Sequence, residues 1–312
     1  MRKIFVGGVQ KSGSSAVVSW LHDQTGITTL RGDLTETRLV TWPAGIGALC
    51  QRAISEGSVS DPVLNLHYHL FSPTVTTRDF MQAYGLLNGQ RRPETDKNLP
   101  VALALHRNGE VKAELERFIE LFRVSKVADI AAGRWEQLNE LLDSWAYAVT
   151  GDRDIAVLFN NDPNCVDLAC LQGVQNASFL GVLRDPRGMF WEHVQLGLRE
   201  PSRTQTYRFI DRMERKYARV LEAAGGADLP PVRFVWFEDF VRRQEVRALV
   251  AAYLGVGLGE PCSSFSEKRA LRSLRLHRRV GTPELTRLLG KGTRDMVDHL
   301  NVSLRENGLL IE

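Results

Sequence analysis

Apolar residues fall along this chain in two rhythms. Short continuous apolar runs read as strands buried on both faces: Lys3 to Val9, Ile155 to Phe159, Phe179 to Leu183 and Val232 to Phe237, with Pro62 to Leu66 and Pro100 to Leu105 as further candidates. Helical spacing fills much of the rest. Ser14 to Asp23 sets Val17, Val18, Trp20 and Leu21 on one face, and Thr206 to Leu221 does the same with Tyr207, Ile210, Met213, Tyr217 and Val220. Glu110 to Phe122 and Arg134 to Val149 are also periodic. Strands alternating with helices predict an α/β fold, a mainly parallel sheet with helices on both faces. The stretch from about residue 57 to 150 holds more than such a sheet needs. It is expected to be a helical insertion or cap within a single domain spanning 1–312.

The first strand runs into Gly8-Val-Gln-Lys-Ser-Gly13-Ser14-Ser15, and a helix follows. The two-glycine spacing is that of a phosphate-binding loop, but Ser14 stands where the usual lysine follows the second glycine. Lys11 lies two residues earlier. Backbone N–H groups at such a turn cradle an anion. Ser12, Ser14 and Ser15 would add hydroxyls and Lys11 a full positive charge. The displaced lysine argues against ATP or GTP, whose β/γ-phosphates that lysine normally reaches. The structural alternative is an ordinary strand-to-helix turn.

A second segment, Phe179-Leu-Gly-Val-Leu-Arg-Asp-Pro-Arg-Gly188, reads as a strand followed by a helix. Asp185 suits the N-cap and Pro186 the first helical turn. Arg184, at the strand end, could reach an anion on the first loop; alternatively, Arg184 and Asp185 simply pair and cap.

Together these segments resemble the PAPS-dependent sulfotransferases, where PAPS is 3'-phosphoadenosine 5'-phosphosulfate. Ile4 to Ser15 is similar to their 5'-phosphosulfate loop, with serines for threonines, and Arg184-Asp-Pro to the segment that binds the 3'-phosphate. Phe234-Val-Trp-Phe-Glu-Asp-Phe-Val241 resembles the family's strand ending in Tyr-Glu-Asp-Leu, and Asn160-Asn-Asp-Pro163 its Asn-Lys-Asp-Pro segment. Gly290-Lys-Gly-Thr293 resembles a Lys-Gly loop closing over the 3'-phosphate, which would bring in Lys291 and Gly292. The resemblance implies a P-loop-type three-layer α/β/α fold and sulfuryl transfer from PAPS to an acceptor hydroxyl, leaving PAP. Lys11, Ser12, Gly13, Ser14, Ser15 and Arg184 would hold the nucleotide, and no metal would be required.

One position departs from the family pattern. A serine eight residues after the arginine is replaced by Glu192, with His193 beside it. A carboxylate repels a phosphate. Either Glu192 turns away, or His193 substitutes, or the nucleotide site is altered.

The chemistry needs a base for the acceptor hydroxyl and a cation at the leaving phosphate oxygen. Lys11 fits the second task. For the first, Leu30-Arg-Gly-Asp-Leu-Thr-Glu-Thr-Arg38 resembles the segment that supplies a carboxylate base in tyrosylprotein sulfotransferases, with Glu36 preferred over Asp33. The same two residues would serve equally as a capping box. A histidine base, as in cytosolic aryl sulfotransferases, would be His67, His69 or His106.

Composition narrows the partners. Of 312 residues 43% are hydrophobic and 25% charged, an ordinary globular balance, and the net charge of +3 is too small to argue for nucleic acid. Cys50, Cys165, Cys170 and Cys262 form no CxxC pair and read as buried thiols of a reducing compartment. No apolar run approaches the length of a membrane span. A soluble, cytoplasmic enzyme acting on a hydroxyl-bearing small molecule, carbohydrate or peptide is expected. The rival readings are a P-loop kinase, with Glu238-Asp239 as its magnesium ligand, and an inactive nucleotide-binding homologue.

Overall fold

The computed structural model describes residues 1–9, 11–29, 156–160, 165–198, 200–226, 228–259, 265–274 and 281–312, together with residue 276 and six positions between 136 and 147. Among these, the strands are β1 (Lys3–Gly8), β2 (Ile27–Thr29), β3 (Ala156–Asn160), β4 (Ala177–Leu183), β5 (Val232–Trp236) and β6 (Leu310–Ile311). They form one sheet in the order β2-β3-β1-β4-β5-β6, and every neighbouring pair is parallel. The α/β class expected from the sequence is thus the observed one. Strand candidates near residues 62 and 100, and the expected insertion at 57–150, lie outside the described residues apart from those six positions.

Continuous apolar strands serve two cores at once, because successive side chains leave a strand on opposite faces. Phe5, Phe159, Phe179, Leu183, Phe234 and Trp236 point to one face. Ile4, Val6, Leu158, Leu180, Val182 and Val235 point to the other. The helix α1 (Ser14–His22) covers the second face, with α4 (Phe237–Arg242), α5 (Gln244–Leu254) and α6 (Glu267–Leu274). The first face is covered by α2 (Pro186–Gln195), α3 (Arg203–Ala224) and α7 (Pro283–Glu306). All four apolar residues predicted for the face of α1 are buried.

Helix starts follow local chemistry. Asp185 caps α2 by accepting from the Arg187 N–H at 2.8 Å, with Pro186 in the first turn, as the sequence predicts. Ser202 caps α3 by accepting from the Gln205 N–H. Phe237, expected to end a strand, instead opens α4, whose first turn carries Glu238 and Asp239. Acidic side chains there complement the positive helix terminus.

One expectation is corrected. Gly290 to Thr293 is not a loop but the middle of α7. Its buried positions, Leu285, Leu289, Thr293, Leu300 and Leu304, keep helical spacing against α3. Gly292 lets the two helices approach: a Cβ there would lie 2.6 Å from Ile210 Cδ1. Lys291 is exposed on the helix surface.

Cys165 and Cys170 are free and buried, and burial pushes the Cys165 thiol up to about 12. Cys50 and Cys262 lie outside the described residues. Among the described residues, no helix is long and apolar enough to cross a membrane.

Candidate functional site

The connections leaving β1 and β4 set the position of the site. These strands are neighbours, yet α1 packs on one face of the sheet and α2 on the other. Their carboxyl ends therefore diverge into a crevice, the switch point where parallel α/β sheets take ligands. The segments singled out in the sequence meet there. The Gly8–Ser15 loop leaves β1, and Arg184-Asp185-Pro186 leaves β4.

Two residues give the loop its shape. Lys11 has φ 61° and Gly13 φ 98°, so two left-handed residues turn the chain within three positions. The Lys11 side chain is exposed. Gly13 is required for a second reason: a Cβ there would lie 2.6 Å from the Phe237 ring. α1 then begins with no side-chain cap. The Ser12 hydroxyl is buried against Gly8 and has no hydrogen-bond partner among the described residues. A turn with an uncapped helix start, an orphaned hydroxyl and a lysine at its tip has the donor set an anion takes.

Arg184 crosses the crevice and holds this loop. Its side chain is buried. Nη1 donates to the Lys11 carbonyl at 2.9 Å, a contact between residues 173 apart in sequence. The same nitrogen donates to Glu192 Oε2 at 2.5 Å, and Nη2 donates to the Ser273 carbonyl and hydroxyl at 3.1 and 2.9 Å. The guanidinium lies 5.4 Å from the Phe237 ring centroid, within cation–π range. Gly188 leaves room for it, since a Cβ there would stand 3.2 Å from Nε. The Arg184 carbonyl in turn accepts from the buried Tyr217 hydroxyl at 2.6 Å.

Of the alternatives open for Glu192, turning away is not the one adopted: it faces Arg184 and forms an ion pair with it. His193 packs edge-on to Phe209, 6.2 Å between ring centroids. A cavity of about 330 Å³ opens beside the loop, walled by Gly13, Ser15, Arg184, Glu192, Arg269 and Ser273 among others. Neither His193, Lys291 nor Gly292 lines it.

Glu238, the magnesium ligand of the kinase reading, is engaged otherwise. Its Oε1 accepts from the Asp185 N–H at 3.2 Å, tying the end of β4 to the start of α4. Oε2 is buried and has no hydrogen-bond partner among the described residues. Burial, then the nearby Asp185, push its carboxyl up to about 7.

No family model matches the sequence, and no curated protein matches it. Among solved structures, the chain is similar to the sulfotransferase domain of the Synechococcus PCC 7002 olefin synthase. The identity is 16% and the TM-score 0.43, over 93% of this chain and 94% of that one.

Sequence reasoning did not single out α6, which supplies the far wall. Ser266, Arg269, Ala270 and Ser273 line the cavity, while Leu274 is buried beneath. A signal was present: positions i, i+3 and i+7 share one helix face. Asp33, Glu36, His67, His69 and His106 lie outside the described residues.

Proposed function

We propose that the chain is a sulfotransferase that moves a sulfuryl group from a nucleoside phosphosulfate, PAPS in the family it resembles, to a hydroxyl of its acceptor. The observation that carries this reading is the meeting of the Gly8–Ser15 loop with Arg184 at the switch point of a parallel sheet. On this reading the loop backbone and Ser12, Ser14 and Ser15 hold the 5'-phosphate. Lys11, exposed at the loop tip, stabilises charge as it builds on the leaving phosphate oxygen. Arg184 keeps the Lys11 backbone in its left-handed conformation.

The acceptor hydroxyl must lose a proton as its oxygen bonds to sulfur and the S–O bond to phosphate breaks. Glu36 is the proposed base and Asp33 the alternative in the same segment. Glu36→Gln would keep any capping bond, because a capping box takes either residue. If Glu36 is the base, that variant loses turnover by about a hundredfold or more without loss of stability. Near-wild-type turnover in both Glu36→Gln and Asp33→Asn would remove the carboxylate base and leave His67, His69 and His106.

The reading as a whole is tested by calorimetry with PAP and by sulfate transfer from radiolabelled PAPS to a panel of acceptors. PAP should bind and ATP should not displace it. A nucleotide complex with its 5'-phosphate away from residues 11–15 would overturn the proposal.

A further inference from the structure

The cavity beside the loop has a charge arrangement of its own. A ligand anchored through a phosphate at Gly13 and Ser15 must extend along a wall formed by Arg184 and Glu192. Arg184 offers that ligand little: its Nε, which has no hydrogen-bond partner among the described residues, is buried. Both of its Nη groups are taken by Lys11, Glu192 and Ser273, and its charge is already matched by a carboxylate at 2.5 Å. Glu192 has a side chain 26% exposed and accepts from Arg184 and, at 3.4 Å, from the Ser273 hydroxyl. The accessible group on this wall is therefore a carboxylate, a hydrogen-bond acceptor whose charge is paired with Arg184. Paired with Arg184, this wall gives a phosphate no net attraction, and it suits a hydroxyl, which can donate to the carboxylate. Arg269, which also lines the cavity, is an exposed cation whose charge is screened by solvent.

We propose that Glu192 is a specificity-determining residue that makes this cavity accept a hydroxyl-bearing group, such as a ribose, and denies a second phosphate any advantage. The inference rests on the nucleotide reading above and narrows it. A 3'-phosphorylated donor would be bound no better than one with a free 3'-hydroxyl. Arg184 then serves as the clamp of the loop rather than as a phosphate ligand.

The test compares adenosine 5'-monophosphate with adenosine 3',5'-bisphosphate by calorimetry on the full chain. Four proteins are needed: wild type, Glu192→Gln, Glu192→Ser and, as a control for a generic loss of negative charge, Glu200→Gln at an exposed position outside the cavity. Wild type and Glu200→Gln should bind the two nucleotides within about threefold of each other, while either Glu192 variant should favour the bisphosphate by about tenfold or more. The wild-type ratio needs no variant to fold, and thermal unfolding identifies a variant that does not. A wild-type preference of about tenfold for the bisphosphate, or a ratio unmoved in folded Glu192 variants, overturns the proposal while leaving the nucleotide reading intact. Failure of both nucleotides to bind any of the four proteins overturns the nucleotide reading, and the proposal with it.

Discussion

Two basic residues at the crevice have different tasks, and substitution should separate them. Lys11 is exposed and meets Arg184 through its backbone carbonyl, so Lys11→Ala removes a charge and keeps that hydrogen bond. Its kcat should fall by about a hundredfold, as when one preorganised donor to a developing anion is removed. PAP affinity, measured by calorimetry, should fall far less. Equal losses in kcat and binding would remove the catalytic role. Arg184 is buried and makes four hydrogen bonds. Arg184→Ala would leave Glu192 without its ion-pair partner and the Lys11 carbonyl without its donor. It should cost about 3 kcal/mol or more of stability in urea denaturation, because one half of a buried pair is left uncompensated. A loss confined to nucleotide binding, with stability intact, would return Arg184 to the role of ligand.

Among the elements, the turn between β1 and α1 is the most demanding. Gly13 combines a left-handed φ with contact against Phe237, whereas Gly308 has φ 62° and nothing within 4 Å of where a Cβ would stand. The two glycines separate conformational cost from steric cost. Gly308→Ala should lose about 1 kcal/mol, the penalty of the left-handed region alone. Gly13→Ala adds an overpacking penalty and should lose about 3 kcal/mol, with loss of PAP binding. Urea denaturation of both variants measures the difference, and equal losses would mean that the Phe237 ring moves aside freely.

Across the whole molecule, Glu238 links the carboxyl ends of β4 and β5 through the Asp185 N–H. Its carboxyl is raised to about 7 from an ordinary 4.5. The folded state therefore holds a proton that the unfolded chain releases. Stability from this group is fully present below pH 4.5 and is lost as pH rises through about 7. The loss is on the order of 3 kcal/mol at its full size. Unfolding followed between pH 4.5 and 7.5 should show this decline in wild type and a flatter profile in Glu238→Gln. Identical profiles would mean that Glu238 does not titrate in this range.

Much of this architecture is local in origin. Continuous apolar runs mark strands buried on both faces, and β1, β3, β4 and β5 lie where those runs fall, within two residues at either end. Asp185 and Pro186 mark the start of α2 because capping depends only on neighbours in the chain. The glycine loop is equally legible, since left-handed turns need particular residues. What sequence could not reveal depends on side chains brought together from far apart. Nothing in Gly290-Lys-Gly-Thr293 says helix or loop until Leu285, Leu289 and Leu300 pack against α3. Nothing near Ser273 says that its hydroxyl will meet Arg184, 89 residues away. The partner of Glu192 was likewise decided by folding: the turn of α2 brings its carboxylate back onto Arg184, while α6 closes over the pair and keeps Arg184 from water. Charge pairing of this kind follows from distance and burial, and only the tertiary structure supplies both.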